Sequence, residues 1–201
     1  MSISIAILIS GRGSNMKAIL EAIAAKELDA RVSVVLSNSP AAAGMEVARG
    51  FGVPVVCVPS KGKTREQHEQ EVLAELAKFK IDYIVLAGYM RVLTPVFLNA
   101  FKTEEGYFRV INIHPSLLPE FPGASGYEDA FAAGVTESGI TVHLVDEKVD
   151  HGPILAQARF PRLADDTIDT FKARGLALEH QLFPRVLQQV AKEGIKVTVA
   201  R

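Results

Sequence analysis

The sequence predicts an α/β fold, a mostly parallel, twisted sheet with helices on both faces, and three observations carry that prediction. Near-continuous apolar runs recur at residues 3–9, 31–36, 53–58 and 81–87. Each is too short for an independent helix, and their β-branched content suits strands covered on both faces. Between the runs, apolar residues repeat at helical spacing, so strand and helix alternate along the chain. Beyond residue 139 two strand patterns are joined by a charged turn, which signals an antiparallel extension.

The elements follow in order. Residues 3–9 form the first strand and lead into Ser10-Gly11-Arg12-Gly13-Ser14-Asn15. Met16, Ile19, Leu20 and Ile23 then recur at helical spacing, so the glycines fall between a strand end and a helix start, where free N–H groups suit a phosphate. This is not a dinucleotide fingerprint. Met16 stands where a third small residue belongs, and the second strand, 31–36, leads to Ser37-Asn38-Ser39-Pro40 with no carboxylate for a ribose diol. A monophosphate fits better.

Residues 44–51 read as a helix, 53–58 as a strand and 64–78 as a polar-faced helix. The only cysteine, Cys57, lies in the apolar strand and is expected to be buried; alone, it excludes an internal disulfide. Arg65, Glu66, Glu69 and Glu71 are read as a solvated face, and His68 among them is given no chemistry. Residues 81–87 form the next strand, ending in Gly88-Tyr89-Met90-Arg91-Val92-Leu93. Ligands gather at strand carboxyl ends in open α/β sheets, so residues 88–93 are expected to line a crevice.

Val110-Ile111-Asn112-Ile113-His114 is an apolar strand that runs into a loop clamped by Pro115, Pro119 and Pro122. Side chains alternate across a strand, so Asn112 and His114 share a face, about 6–7 Å apart at the backbone, and both can reach one small substrate group. Pro115 ends the ladder because it has no N–H, and the three prolines stiffen the exit loop. This stretch is the predicted catalytic centre. Residues 127–133 then read as a short helix, and 139–145 as a half-covered strand carrying His143 as a packed or hydrogen-bonded neighbour of the site. Residues 154–160 are its antiparallel partner. A long helix over 167–190, bent near Pro184, and a short strand over 195–199 complete a Rossmann-like arrangement, expected in one domain spanning 1–201.

Composition narrows the function. A net charge of −1, with no stripe of clustered Lys and Arg, argues against nucleic-acid binding. The N-terminal apolar run has no basic segment before it, is interrupted by serine and is too short to span a bilayer, so a cytoplasmic protein without membrane contact is expected. His114, His143, Asp150 and His151 follow no paired-ligand spacing, so no metal is expected.

The string Asn-x-His-Pro-Ser-Leu-Leu-Pro, followed by Phe-Pro-Gly, resembles the signature of the 10-formyltetrahydrofolate-dependent formyltransferases. The glycine loop, Ala87-Gly88-Tyr89-Met90-Arg91-Val92-Leu93 and Val149-Asp150-x-Gly152-Pro153-Ile154 are similar to that family too, and occur in the same order over nearly the whole chain. The likeness is greatest to the branch that formylates phosphoribosylglycinamide in purine biosynthesis. It implies that Asn112, His114 and Asp150 are catalytic, and that Gly11, Arg12, Gly13, Ser14 and Asn15 bind the ribonucleotide phosphate. It implies further that Glu179 lies near the glycinamide amine, and that Met90, Arg91, Val92, Leu93, Asp146, Glu147, Lys148 and Val149 line the folate pocket. 10-Formyltetrahydrofolate would be a co-substrate, with no metal, in a monomer or homodimer acting on small molecules.

Where some members carry a histidine-rich stretch after Pro-Gly, this chain has Ala124-Ser125-Gly126-Tyr127, and those four residues are assigned no role. The alternatives are a formyltetrahydrofolate hydrolase or another formyltransferase of the superfamily, which normally bring an additional regulatory or tRNA-binding domain for which no residues are expected here. A non-enzymatic nucleotide-binding α/β domain would need the glycine loop alone.

Overall fold

The computed structural model describes residues 2–196. Its strands are β1 (Ile3–Ile9), β2 (Ala30–Ser37), β3 (Val55–Cys57), β4 (Tyr83–Leu86), β5 (Val110–His114), β6 (Glu137–Leu144) and β7 (Ile154–Pro161), forming one sheet in the order β3-β2-β1-β4-β5-β6-β7. The pairs among β1 to β5 are parallel, whereas β6 and β7 add on antiparallel. The predicted architecture therefore holds. The helices are α1 (Ser14–Ala24), α2 (Gly44–Gly50), α3 (Arg65–Leu76), α4 (Pro95–Leu98), α5 (Gly126–Ala132) and α6 (Ile168–Glu193).

Alternation along β1 builds two cores. Ile5, Ile7 and Ile9 pack with Met16 and Ile19 of α1 and with Leu182, Phe183 and Leu187 of α6. Ala6 and Leu8 pack on the opposite face with Val72 and Leu76 of α3 and Phe97 and Leu98 of α4. Full burial of each large apolar side chain contributes roughly 1.5–3 kcal/mol, so both helical layers are held chiefly by this apolar area. On β5, Ile111 and Ile113 join the first core and Val110 the second. Alternation thus sends Asn112 and His114 to the Val110 side, at the carboxyl end of the strand.

Strand order reverses at β1, whose neighbours are β2 and β4, so the loops after β1 and β4 open side by side at the sheet's carboxyl edge. They are tied together. Ser10 N donates to the Gly88 carbonyl at 3.1 Å, and Met90 N donates to Ser10 Oγ at 2.7 Å.

Four local expectations need correction. Cys57 is exposed, because β3 is an edge strand with one neighbour. His68 and Glu69 are buried rather than part of a solvated face: α3 turns them inward with Val72 and Leu76. There His68 Nε2 bonds the Val58 carbonyl at 2.8 Å, and Glu69 accepts from the Thr94 N–H at 2.8 Å and from the Thr94 hydroxyl, joining α3 to the start of α4. β6 is buried on both faces from Ser138 to Leu144, since the loop after β5 covers its second face. Thr141 Oγ1 fastens that loop by donating to the Ser116 carbonyl at 2.7 Å and accepting from Leu118 N at 3.1 Å. Finally, Ile195 and Lys196 have no regular structure, and residues 197–199 of the expected last strand lie outside the described residues. No helix among the described residues is long and apolar enough to cross a membrane.

Candidate active site

The site is built on His114, which ends β5 and is 3% exposed. Its Nε2 lies 2.8 Å from the Phe121 carbonyl, and its Nδ1 lies 3.3 Å from Asp150 Oδ2. A carbonyl only accepts, so Nε2 carries a proton. Nδ1 faces a second acceptor and is attracted to it only when it too is protonated, so the imidazolium form satisfies both contacts. Phe121 and Asp150 have positive φ, 51° and 53°, a region that non-glycine residues seldom occupy. Both strained residues thus hold the same ring.

Asp150 Oδ2 also accepts from Gly123 N at 2.7 Å, which pins the carboxylate to the proline-rich loop. Asn112 is paired in register with His143 of β6, and its Nδ2 lies 3.2 Å from His143 Nε2. His143 Nδ1 donates to the Leu144 carbonyl at 2.8 Å, leaving Nε2 as the acceptor. Burial lowers the His143 pKa and favours this neutral ring. The contact orients the Asn112 amide with its second N–H free. His143 was foreseen only as a neighbour, and its place opposite Asn112 follows from strand register.

A pocket of about 380 Å³ opens over these groups. Asn112, His114 and Asp150 line it together with Met90, Arg91, Val92, Leu93, Asp146, Glu147, Lys148 and Val149, so loops remote in sequence meet there. Its size is within the range of small-molecule sites. Met90, Val92 and Val149 are 71%, 43% and 52% exposed, so the pocket's rim presents large apolar side chains to solvent. Asp146 organises the far rim by accepting from Lys148 N at 2.8 Å and contacting His151 Nδ1 at 2.9 Å.

The glycine loop lies beside this pocket and is not among its walls. Gly13 has φ 70°, and α1 begins there without a side-chain cap or an acidic residue in its first turn. Its leading N–H groups therefore suit an anion. Gly11 and Arg12 are exposed, Ser14 is half-buried, and Asn15 is buried, its Nδ2 donating to Glu179 Oε2 at 2.6 Å. Glu179 is 6% exposed and also accepts from the Tyr127 hydroxyl. Burial raises its pKa, opposed by these two hydrogen bonds and by the charges of His180 and His114. Nothing in the local pattern around Tyr127 pointed to this contact.

Residues 3–187 match the formyl transferase family model. The chain belongs to that family. This formyl transferase is 36% identical to the phosphoribosylglycinamide formyltransferase of Escherichia coli K12 over 195 residues, covering 96% of this chain and 90% of the relative. It is 40% identical over 195 residues to the trifunctional purine biosynthetic protein adenosine-3 of Drosophila pseudoobscura pseudoobscura, again covering 96% of this chain, but it spans 14% of that relative's length. Among solved structures, glycinamide ribonucleotide transformylase 1 from Symbiobacterium toebii superposes with a TM-score of 0.92 at 37% identity, covering 98% of this formyl transferase and 91% of that chain.

Proposed function

We propose that this formyl transferase moves the formyl group of 10-formyltetrahydrofolate to the primary amine of phosphoribosylglycinamide, the acceptor in the Escherichia coli relative's name. The observation that carries the reading is a pair of adjoining features at one sheet edge. A pocket rimmed by exposed apolar side chains ends on Asn112, His114 and Asp150, and an uncapped helix start tied to buried Glu179 stands beside it. Met90, Val92 and Val149 would cover the flat heterocycle of the folate, and the N–H groups at the start of α1 would hold the acceptor's phosphate.

The amine attacks the formyl carbon, and negative charge develops on the formyl oxygen. The free N–H of Asn112 donates to that oxygen, while the imidazolium of His114 supplies positive charge beside it. Asp150 keeps the imidazolium in place. Through a water molecule it also takes the proton released by the attacking amine, and that proton returns to the departing folate nitrogen as the tetrahedral intermediate collapses. Glu179 meets the acceptor from the phosphate side. No covalent enzyme intermediate is needed.

The test is turnover with both substrates. Formyl loss from the folate should require the amine acceptor; loss at the same rate without it would make the protein a hydrolase. The acceptor's dephosphorylated riboside should be a very poor substrate. Hydrogen bonds to charged groups contribute about 1.5–3 kcal/mol each, so losing two lowers kcat/KM by roughly 10²–10⁴. Equal kcat/KM for the two acceptors would remove the phosphate assignment.

A further inference from the structure

Tyr127, in the first turn of α5, is one of the four residues given no role from the sequence, and its position is set by α6. An ideal Cβ at Gly175 would lie 2.4 Å from Tyr127 Cε1 and 2.6 Å from its hydroxyl, so the ring occupies a slot that only glycine leaves open. Phe171, one turn before Gly175, closes one end edge-on at 6.3 Å and 87°. Glu179, one turn after it, closes the other and accepts the Tyr127 hydroxyl on Oε1. Residues 171, 175 and 179 form one stripe at i, i+4 spacing, so a single helix face aims the phenol at the carboxylate. The other carboxylate oxygen, Oε2, is held by Asn15 from the first turn of α1.

We propose that Tyr127 is a positioning residue for the amine acceptor: its hydroxyl and Asn15 hold Glu179 from two sides, so that the carboxylate meets the acceptor in one fixed orientation. This rests on the acceptor assignment proposed above. Tyr127 is 9% exposed and acts through Glu179, not on the reacting atoms. The contact also governs charge. Glu179 is buried, and the other groups bearing on it are His180 on its own helix and His114 at the end of β5. Losing one of its two donors makes the carboxylate easier to protonate.

Tyr127→Phe keeps the ring in its slot and deletes only the hydroxyl. The expected result is a rise of roughly tenfold in KM for phosphoribosylglycinamide, with KM for the folate within about twofold. The acidic limb of the acceptor's kcat/KM profile should move to higher pH. A cycle with Glu179→Gln separates positioning from packing: if the hydroxyl acts through Glu179, the double variant is no worse than Glu179→Gln alone. Unchanged acceptor KM and an unmoved pH profile, or losses that simply multiply, would overturn the role of Tyr127 while native turnover still supported formyl transfer. Native protein that fails to formylate this acceptor would remove both readings.

Discussion

The two carboxylates of the site are held in opposite ways. Asp150 lies on a loop, in a left-handed backbone conformation, and is fixed by one N–H from another loop and by a histidine ring at 3.3 Å. Glu179 lies in the middle of a 26-residue helix, buried, and is gripped by side chains from two further helices. The proposed folate side of the site is therefore a set of loops with exposed apolar tips, and the proposed acceptor side is a junction of packed helices. Loops can close over a ligand and open again, whereas packed helices hold one geometry. Changes on the first side should register in turnover and folate affinity, and changes on the second in stability and acceptor affinity.

The largest expected effects are at the reacting groups. Asn112→Ala and Asp150→Asn should each lower kcat by roughly 10²–10³ with little change in Tm, because in the proposed mechanism one loses the oxyanion donor and the other the charge opposite His114. Near-native kcat in a folded Asn112→Ala protein would remove the oxyanion assignment. Next come two glycines, one on each side. An ideal Cβ at Gly152 would lie 1.9 Å from the Leu144 carbonyl, so Gly152→Ala must shift the loop carrying Asp150; kcat should drop about tenfold or more, in keeping with the cost of misplacing a catalytic group. Gly175→Ala drives a methyl group into Tyr127 and should cost about 1–3 kcal/mol of stability, with a higher acceptor KM. Should Gly152→Ala mainly unfold the protein and Gly175→Ala mainly lower kcat, the contrast between the two sides would be reversed.

A smaller effect reads the buried charge. Because burial holds the Glu179 carboxyl above its ordinary 4.5, the folded chain binds that proton more readily than the unfolded chain. Its stability penalty is therefore present above the folded-state pKa and fades as pH falls toward 4.5. Glu179→Gln, whose amide a flipped Asn15 can accommodate, should be a few degrees more stable than native at pH 8, with the gap closing on acidification. Thermal melts across that range check the sign. The smallest change is at the rim: Val149→Ala, at a half-exposed side chain, should raise the folate KM a few-fold and leave the acceptor KM unchanged.

Much of this protein is written in its local pattern. Apolar runs located the strands, helical spacing located α1, α3 and α6, and the switch to antiparallel pairing was visible in the two strands after residue 139. Alternation alone put Asn112 and His114 on one face, because side-chain direction along a strand depends only on neighbouring residues. The errors arose where burial depends on what lies across space. Cys57 is apolar in context yet sits on an edge strand, and Glu69 is charged yet turns inward to meet the Thr94 backbone and hydroxyl. The 3.3 Å approach of Asp150 to His114, the His143 contact that orients Asn112, and the grip of Tyr127 and Asn15 on Glu179 were decided by tertiary structure. These pairs are 31 to 164 residues apart in the chain, and no local period encodes a distance that exists only once the sheet has ordered its strands and α6 has packed across them.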